Sequence, residues 1–447
     1  MIPETRYARA PSGDYIAYQV LGNGPVDVLM ARDGTYAIEH VWDELRLAYF
    51  HQRLASWSRV VLFDIRGFGS SDSYGVLSKP VPETWVDDTS AVLDAIGSER
   101  AVLFGWSHGG QYALMFAATY PERCRALVLV NAFARLLRDR EYPAGLPIDL
   151  RQRRLEIAIE GWGNGGFLPA WAPSAAGDES FREWFSRAQR ASSGPGTFAA
   201  VYDGLLDRDV RAVLSAISVP TLVMHRRDDR YAPVAHGRYL AEHIDGAKYV
   251  ELPGADHLEF VGEVDPMLDE IQHFVAGLAG PQRAERVLAT VLFTDLVGST
   301  ARAAELGDAG WREVLDAHDA LARRVMTEHR GRLVDTNGDG IVAIFDGPAR
   351  AILAAADFVR ATSAELDVNS RAGLHTGEIE LRGDGIAGIG VHIAARIGAL
   401  AGDKEILVSR TVKDLAAGSG IVFADRGVYA LKGVPDEVQL FAALASS

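Results

Sequence analysis

One cysteine, Cys124 in "YPERCRALVLV", and five lysines are the scarcest features of this chain of 447 residues. A lone cysteine excludes an internal disulfide and any metal cluster built on thiolates; its place beside an apolar run predicts packing against a strand. Long hydrophobic runs are missing too, since no stretch approaches the roughly eighteen apolar residues of a membrane span. The start, "MIPETRYARAPSGDYIAYQV", lacks the basic opening and apolar centre of a secretory signal, so a cytoplasmic location is expected. Positive charge is in short supply: 45 Lys and Arg against 60 Asp and Glu leave a formal charge of -15. That balance argues against nucleic acid or an anionic membrane as partner, because phosphate affinity comes mainly from clustered Lys and Arg. No internal repeat or low-complexity tract is evident.

What is present is apolar substance, 48% of residues, in a chain about three times the usual domain length, so two or three globular domains are expected. From Tyr15 to about Phe274, short apolar runs such as "VDVLMA", "RVVLFD", "AVLFGW", "ALVLVNA", "PTLVMH" and "KYVELP" alternate with helix-length segments. Buried strands alternating with helices make a mostly parallel sheet covered on both faces. Residues 137 to 210 break the rhythm with a charged, Trp-containing, helix-rich insert that reads as a cap over the sheet. Gly277, Gly280 and Pro281 mark a break, and "LATVLFTDLVG" starts a new strand. The expected organisation is therefore a first domain over 1–278, a linker over 279–286 and a second, α+β domain over 287–447. Its helices are read over "GWREVLDAHDALARRVMTEHRG", "ARAILAAADFVRATSAE" and "GVHIAARIGALA".

"DTNGDGIVAIFD", residues 335 to 346, resembles a calcium loop, with Asp335, Asn337 and Asp339 at alternate positions. The twelfth place holds Asp346 rather than a bidentate Glu, and Gly347-Pro348 bar a helix running directly out of it. "GIVAIFD" reads instead as the second strand of a hairpin.

Two constellations carry chemistry. In "AVLFGWSHGGQYALMFAATYPERC", Gly105-Trp106-Ser107-His108-Gly109 sits between a strand and a helix, and a nucleophile on so tight a turn needs small neighbours. An acid in "PTLVMHRRDDRYAP" and a His in "ELPGADHLEF" follow in the order Ser, Asp, His. With "FDIRGFGSSD" at 63 to 72, these motifs resemble the α/β-hydrolases over residues 1 to about 278. The resemblance implies that Ser107 attacks a carbonyl, His257 takes its proton and Asp229 orients the imidazole; Asp229 is preferred to Asp228 because it lies four residues before Pro233. It also implies an oxyanion hole from the His108 N–H and a second donor near Gly34 and Thr35, where Asp33-Gly34 stands in place of the usual His-Gly. A serine nucleophile favours a carboxylic ester as substrate, with no cofactor. Trp162, Trp171 and Trp184 either line an acyl pocket or pack within the cap.

The second constellation pairs Asp295, in "VLFTDLVGST", with Asp339 at the tip of the hairpin; two such carboxylates can share divalent metals, since hard oxygen ligands suit Mg²⁺ or Mn²⁺ bridging phosphates. "FTDLVGST", "NGDG" and "GVHIAARI" together resemble the class III nucleotide cyclases over 287 to about 443. That resemblance implies a head-to-tail homodimer with shared sites, two metal ions on Asp295 and Asp339, and attack of the ribose 3′-oxygen on the α-phosphorus. It assigns Arg396 to the developing phosphate charge and Lys432 to the phosphates. The base-reading pattern departs from an adenylate cyclase: Asp335 stands for Lys, Gly385 for Asp, and His392 for the Asn of the transition state. His392 can still donate a hydrogen bond, and Asn337 and Asp384 stand close by as substitutes for purine contacts.

The whole chain thus resembles bacterial fusions of an α/β-hydrolase with a class III cyclase. It implies conversion of ATP, with GTP as a second candidate, to cyclic nucleotide, beside an esterase or a sensor of a small acyl ligand. The competing readings are a serine esterase whose cyclase-like domain only dimerises or senses nucleotide, and a non-enzymatic ligand sensor.

Overall fold

In the computed structural model the chain divides into two compact units, Met1–Ala284 and Glu285–Ser447. The structure describes residues 2–73, 82–278, 286–336, 338–382, 385–434 and 436–444. Most of the expected linker, and the candidate contacts Asn337 and Asp384, lie outside the described residues.

The first unit's described strands are β1 (Arg6–Arg9), β2 (Tyr15–Leu21), β3 (Asp27–Ala31), β4 (Arg59–Phe63), β5 (Ala101–Trp106), β6 (Cys124–Val130), β7 (Thr221–Arg226) and β8 (Lys248–Leu252). They form one sheet in the order β1-β2-β4-β3-β5-β6-β7-β8. The pairings β1–β2 and β2–β4 are antiparallel, and those from β4 onward are parallel. β5 is buried at every position, which is why its run is apolar without alternation. β1 has no such signal: "RYAR" exposes three of its four residues at the sheet edge and is held by backbone pairing with β2. Cys124 opens β6, buried as expected.

The helices are α1 (Leu45–Ala55), α2 (Pro82–Ala95), α3 (Gly109–Thr119), α4 (Leu150–Gly161), α5 (Leu168–Trp171), α6 (Glu179–Ser192), α7 (Pro195–Leu206), α8 (Ala235–His243) and α9 (Asp265–Ala276). α3 is buried along its whole length, so "GGQYALMFAAT" lacks a polar face. α4 to α7 all fall between β6 and β7, in the helix-rich insert.

The second unit runs β9 (Arg286–Leu296), α10 (Ser299–Glu328), β10 (Arg332–Asp335), β11 (Gly340–Phe345), α11 (Pro348–Glu365), β12 (Ser370–Arg382), β13 (Gly385–Ala387), α12 (Ile389–Leu400), β14 (Ile406–Ser409), α13 (Arg410–Leu415), β15 (Val422–Tyr429) and β16 (Val438–Leu444). Its sheet has the order β10-β11-β9-β12-β14-β16-β15, with β13 added on β12. Only β12–β14 is parallel among the described pairings. Of the residues read as a possible calcium loop, Asp335 ends β10 and Gly340–Phe345 make β11, which pairs antiparallel with β10. α10 begins at Ser299 rather than at the expected Gly310; Gly307 inside it takes φ 68°, the break that hid its first turns from a periodicity reading.

α12 lies unusually close to β12. A Cβ on Gly373 would stand 2.0 Å from the backbone nitrogen of Gly398, so two glycines let helix and strand touch backbone to backbone. Below this contact Val287, Val291, Ile379 and Ala394 form one core cluster, and Ile397, Leu407, Leu431 and Leu440 another. Gly373→Ala has no side chain end to push aside, and overpacking of this kind costs about 1–3 kcal/mol. Calorimetry of the variant should show the second unit melting several degrees lower; an unshifted transition would refute the tight seat of α12.

Candidate functional site

Ser107 stands between the end of β5 and the start of α3, fully buried, with φ 53°. The turn is possible because Gly105 and Gly109, two residues to either side, have no side chains. A Cβ on Gly109 would lie 2.0 Å from the Ala31 carbonyl oxygen, and one on Gly105 would lie 2.7 Å from the Gly110 Cα. Loops after β7 and β8 bring the other two groups. His257 Nε2 is 2.9 Å from Ser107 Oγ, and His257 Nδ1 is 2.7 Å from Asp229 Oδ2. Asp229 Oδ1 accepts the N–H groups of Tyr231 (2.8 Å) and Ala232 (3.0 Å), so both its oxygens are engaged. Burial alone would raise the Asp229 carboxyl, but the His257 imidazole and these hydrogen bonds outweigh it and hold the pKa below the usual value. Of the two adjacent acids, Asp229 is the one whose carboxylate meets His257.

The backbone of His257 is clamped as firmly as its ring. Its N–H donates to the Trp171 carbonyl at 2.7 Å, while its carbonyl accepts Trp106 Nε1–H at 2.7 Å and Asn131 Nδ2–H at 2.9 Å. Asn131 also accepts the Arg226 N–H through Oδ1 at 2.9 Å, joining the ends of β6 and β7 to the His257 loop. Sequence reasoning passed over Asn131; its signal was a polar residue closing the apolar run "ALVLVNA" at the carboxyl end of a central strand, where sites gather.

The residues expected at the oxyanion hole separate into two cases. His108 precedes α3, so its N–H lies at a helix start. Its side chain is buried, with Nε2 3.2 Å from the Tyr231 hydroxyl, and burial pushes its pKa down to about 3. Thr35, by contrast, donates its N–H to Asp33 Oδ1 at 3.2 Å, so the expected second donor is already engaged by an acid side chain closing a local turn. Gly34 takes φ 81°, and a Cβ there would strike the Phe68 ring.

The insert roofs this site. The Trp171 ring lies 5.9 Å from both Trp106 and His257, and Tyr202 of α7 meets the Tyr231 hydroxyl at 2.9 Å. Trp162 stacks on Phe198 within the cap, while Trp184, stacked on Phe181, also meets Tyr36 and Phe260 and donates Nε1–H to the His40 carbonyl at 2.9 Å, seating the cap on the rest of the unit. A separate cleft of about 770 Å³, lined by Leu45, Arg46, Ser174, Phe260 and Pro266, includes none of the triad residues.

In the second unit, the pairing of β9 with β11 brings the two aspartates together. Gly340 of β11 pairs with Asp295 of β9, and the Leu296 N–H donates to the Asp339 carbonyl at 3.2 Å, so Asp295 and Asp339 are cross-strand neighbours. Arg371 of β12 grips Asp295 through Oδ2 at 2.6 and 3.1 Å. Among the described residues no group of three or more His, Cys, Asp and Glu gathers as a metal cage. Two carboxylates at one strand end fit a hard divalent ion whose remaining ligands come from phosphate and water. His392 and Arg396 lie one turn apart on α12, both exposed, hence on one face. Lys432 is exposed in the turn after β15, and Asp335 is exposed at the end of β10, opposite Val342.

A serine held in a left-handed turn, bridged through imidazole to a buried carboxylate on a mostly parallel sheet, marks the hydrolase class; the second unit is an α+β domain with paired aspartates. Comparison with known proteins agrees. The model of the alpha/beta hydrolase fold matches residues 40–263, and that of the adenylate and guanylate cyclase catalytic domain matches residues 281–444. The pimeloyl-[acyl-carrier protein] methyl ester esterase of Chromobacterium violaceum is 30% identical over 269 residues, 58% of this chain and 95% of that protein. The AB hydrolase superfamily protein YisY of Bacillus subtilis is 29% identical over 234 residues, 48% of this chain and 81% of its own length. A solved hydrolase from Pseudomonas aeruginosa superposes with a TM-score of 0.52 at 26% identity, covering 61% of this chain and 99% of that one. The chain belongs to the α/β-hydrolase family and carries, after that domain, a class III adenylate/guanylate cyclase catalytic domain. No helix among the described residues is long and apolar enough to cross a membrane.

Proposed function

We propose that the chain is a nucleotide cyclase making cyclic AMP and pyrophosphate from ATP at a homodimer interface, fused to a serine hydrolase that cleaves a carboxylic ester or senses a related acyl ligand. The observation that carries the hydrolase half is the unbroken hydrogen-bonded chain from Asp229 through His257 to Ser107. In this reading Ser107 Oγ attacks the ester carbonyl as His257 Nε2 takes its proton, and Asp229 stabilises the imidazolium through Nδ1–H. The His108 N–H faces the oxygen that becomes negative. Collapse returns the proton to the leaving alcohol, and water then releases the acid by the same route. The ester class is supported by the esterase named among the relatives.

The cyclase half is supported by the register that joins Asp295 to Asp339. Two divalent ions, Mg²⁺ or Mn²⁺, held there would neutralise triphosphate charge and acidify the ribose 3′-hydroxyl. The chain's own residues bind and orient: Arg396 offers a planar fork to the phosphate, His392 a hydrogen bond one turn away, and Lys432 a point charge. Their exposure suits a site completed by a second copy. With Asp335 where an adenylate cyclase has Lys, GTP is expected to serve beside ATP. Product formation from each nucleotide with Mn²⁺, resolved by chromatography, tests this half. Absence of cyclic product from both would leave a dimerisation or nucleotide-sensing module.

Asn131 is a positioning residue here. Asn131 takes φ 49°, so Asn131→Gly keeps the backbone and removes both amide contacts. Misplacing His257 by a fraction of an ångström should lower kcat about tenfold to a hundredfold with KM nearly unchanged. A parallel change in KM alone would show that Asn131 shapes binding instead.

A further inference from the structure

The loop after β3 carries an acid where the site needs donors. Ala31 of β3 pairs with Gly105 of β5, and a Cβ on Gly109 would meet Ala31 and Arg32, so the loop that carries Asp33 leaves the sheet beside the Ser107 turn. Asp33 is 8% exposed, and Oδ1 accepts both the N–H of Thr35 and the Thr35 hydroxyl. Oδ2 has no hydrogen-bond partner among the described residues. The loop is pinned: the Gly34 carbonyl accepts the Ser192 hydroxyl at 2.5 Å, and the Phe68 ring closes the space a Cβ on Gly34 would need. The charges of His257 and Arg32 act on Asp33 and favour its carboxylate, though less than burial disfavours it. Arg32 lies over the Tyr36 ring at 4.6 Å and makes no hydrogen bond to Asp33 among the described residues.

An acyl-transfer oxyanion needs the N–H groups of this loop, and a carboxylate oxygen already holds one of them. A plain acyl ester gives Asp33 nothing to bind and sets its own developing charge against a second anion. An acyl chain bearing a hydroxyl or ammonium hydrogen beside the carbonyl gives Oδ2 a donor and draws charge away from the oxyanion. Burial raises the pKa of Asp33 above the usual carboxylate value, so such a donor also offsets an existing desolvation penalty.

We propose that Asp33 is a specificity-determining residue of the Ser107 site, selecting esters whose acyl group carries a hydrogen-bond donor, hydroxyl or ammonium, next to the scissile carbonyl. The inference rests on the esterase reading of Ser107. Hydrolysis itself is unchanged: water adds across the acyl–oxygen bond, giving the substituted acid and the alcohol.

The test is kcat/KM of the full-length protein on nitrophenyl esters of butyrate, 2-hydroxybutyrate and 2-aminobutyrate, for the parent, Asp33→Ala and Asp33→Asn. The parent should prefer at least one donor-bearing ester over butyrate by roughly tenfold or more. Asp33→Ala should erase that preference by losing on the substituted ester and gaining on butyrate. Asp33→Asn keeps an acceptor oxygen without charge, so it should retain a hydroxyl preference and lose an ammonium one, which separates the two donors. If Asp33→Ala does not fold, Asp33→Asn decides through its lost charge: a variant showing neither a gain on butyrate nor a loss on the amino ester overturns the proposal. An unchanged order in Asp33→Ala, with turnover that Ser107→Ala still abolishes, overturns the proposal and leaves the esterase reading standing. No turnover of any ester, together with no fluorophosphonate labelling of Ser107, defeats the esterase reading and this inference with it.

Discussion

Ser107→Ala is expected to fold as the parent does and to lose ester turnover by about 10⁴-fold or more, since removing a triad nucleophile alone costs most of what the triad supplies. The fold should survive because alanine meets the same left-handed backbone at φ 53° that serine already tolerates, and no other side chain depends on Oγ except His257. No neighbour can take over. The ring of His108, the next residue, is buried with Nε2 3.2 Å from the Tyr231 hydroxyl and Nδ1 3.4 Å from Gln111 Oε1, so both its nitrogens are occupied. Hydrolysis of a nitrophenyl ester, with fluorophosphonate labelling as the readout of Ser107 itself, checks the prediction. Turnover in the variant within tenfold of the parent would remove the triad from the reaction, whatever its hydrogen bonds look like.

The residues that were legible in the sequence are those whose roles are local or ordered along the chain. Gly105, Ser107 and Gly109 announce a turn by spacing, and the carboxyl ends of apolar runs mark where Asp229 and His257 should fall. Asp295 and Asp339 were legible one by one, the first closing an apolar run and the second on a hairpin turn; that they meet depends on the long-range β9–β11 register. What escaped depends on contacts that no periodicity encodes. The carbonyl of Trp171 reaches the His257 N–H from a four-residue helix in the cap, and Asn131 ties three loops through one amide. Capture of the Thr35 N–H by Asp33 is a two-residue turn whose effect depends on the surroundings, where burial makes the carboxylate matter. Arg371 is an ordinary strand arginine in sequence; only the β9–β12 register sets it opposite Asp295. β1 was invisible because its polar residues are held by pairing rather than burial.

That Arg371 contact bears on the second large effect expected. Asp295→Ala should abolish cyclic nucleotide formation, by on the order of 10³-fold or more, because metal stabilisation of phosphoryl charge contributes several kcal/mol. Arg371, partly exposed, loses its partner in the variant but remains hydrated, so stability should change little, as for most partly exposed ion pairs. Arg396→Ala should be comparably inactive for a different reason, the loss of a permanent charge at the transferring phosphate. If the two residues serve one site from opposite copies, each variant homodimer has two dead sites. A mixed dimer instead has one site lacking both groups and one lacking neither. Equal mixing of the two dead proteins should then restore roughly a quarter of the parent activity, since half the dimers are mixed and each has one intact site. Restoration would require both the dimer and the division of labour between strand end and α12. Its absence, with both variants still dimeric by light scattering, would mean that Asp295 and Arg396 belong to the same copy's site or to none. The paired aspartates would then hold a nucleotide or an ion without turning it over, leaving Ser107 as the chain's centre of chemistry.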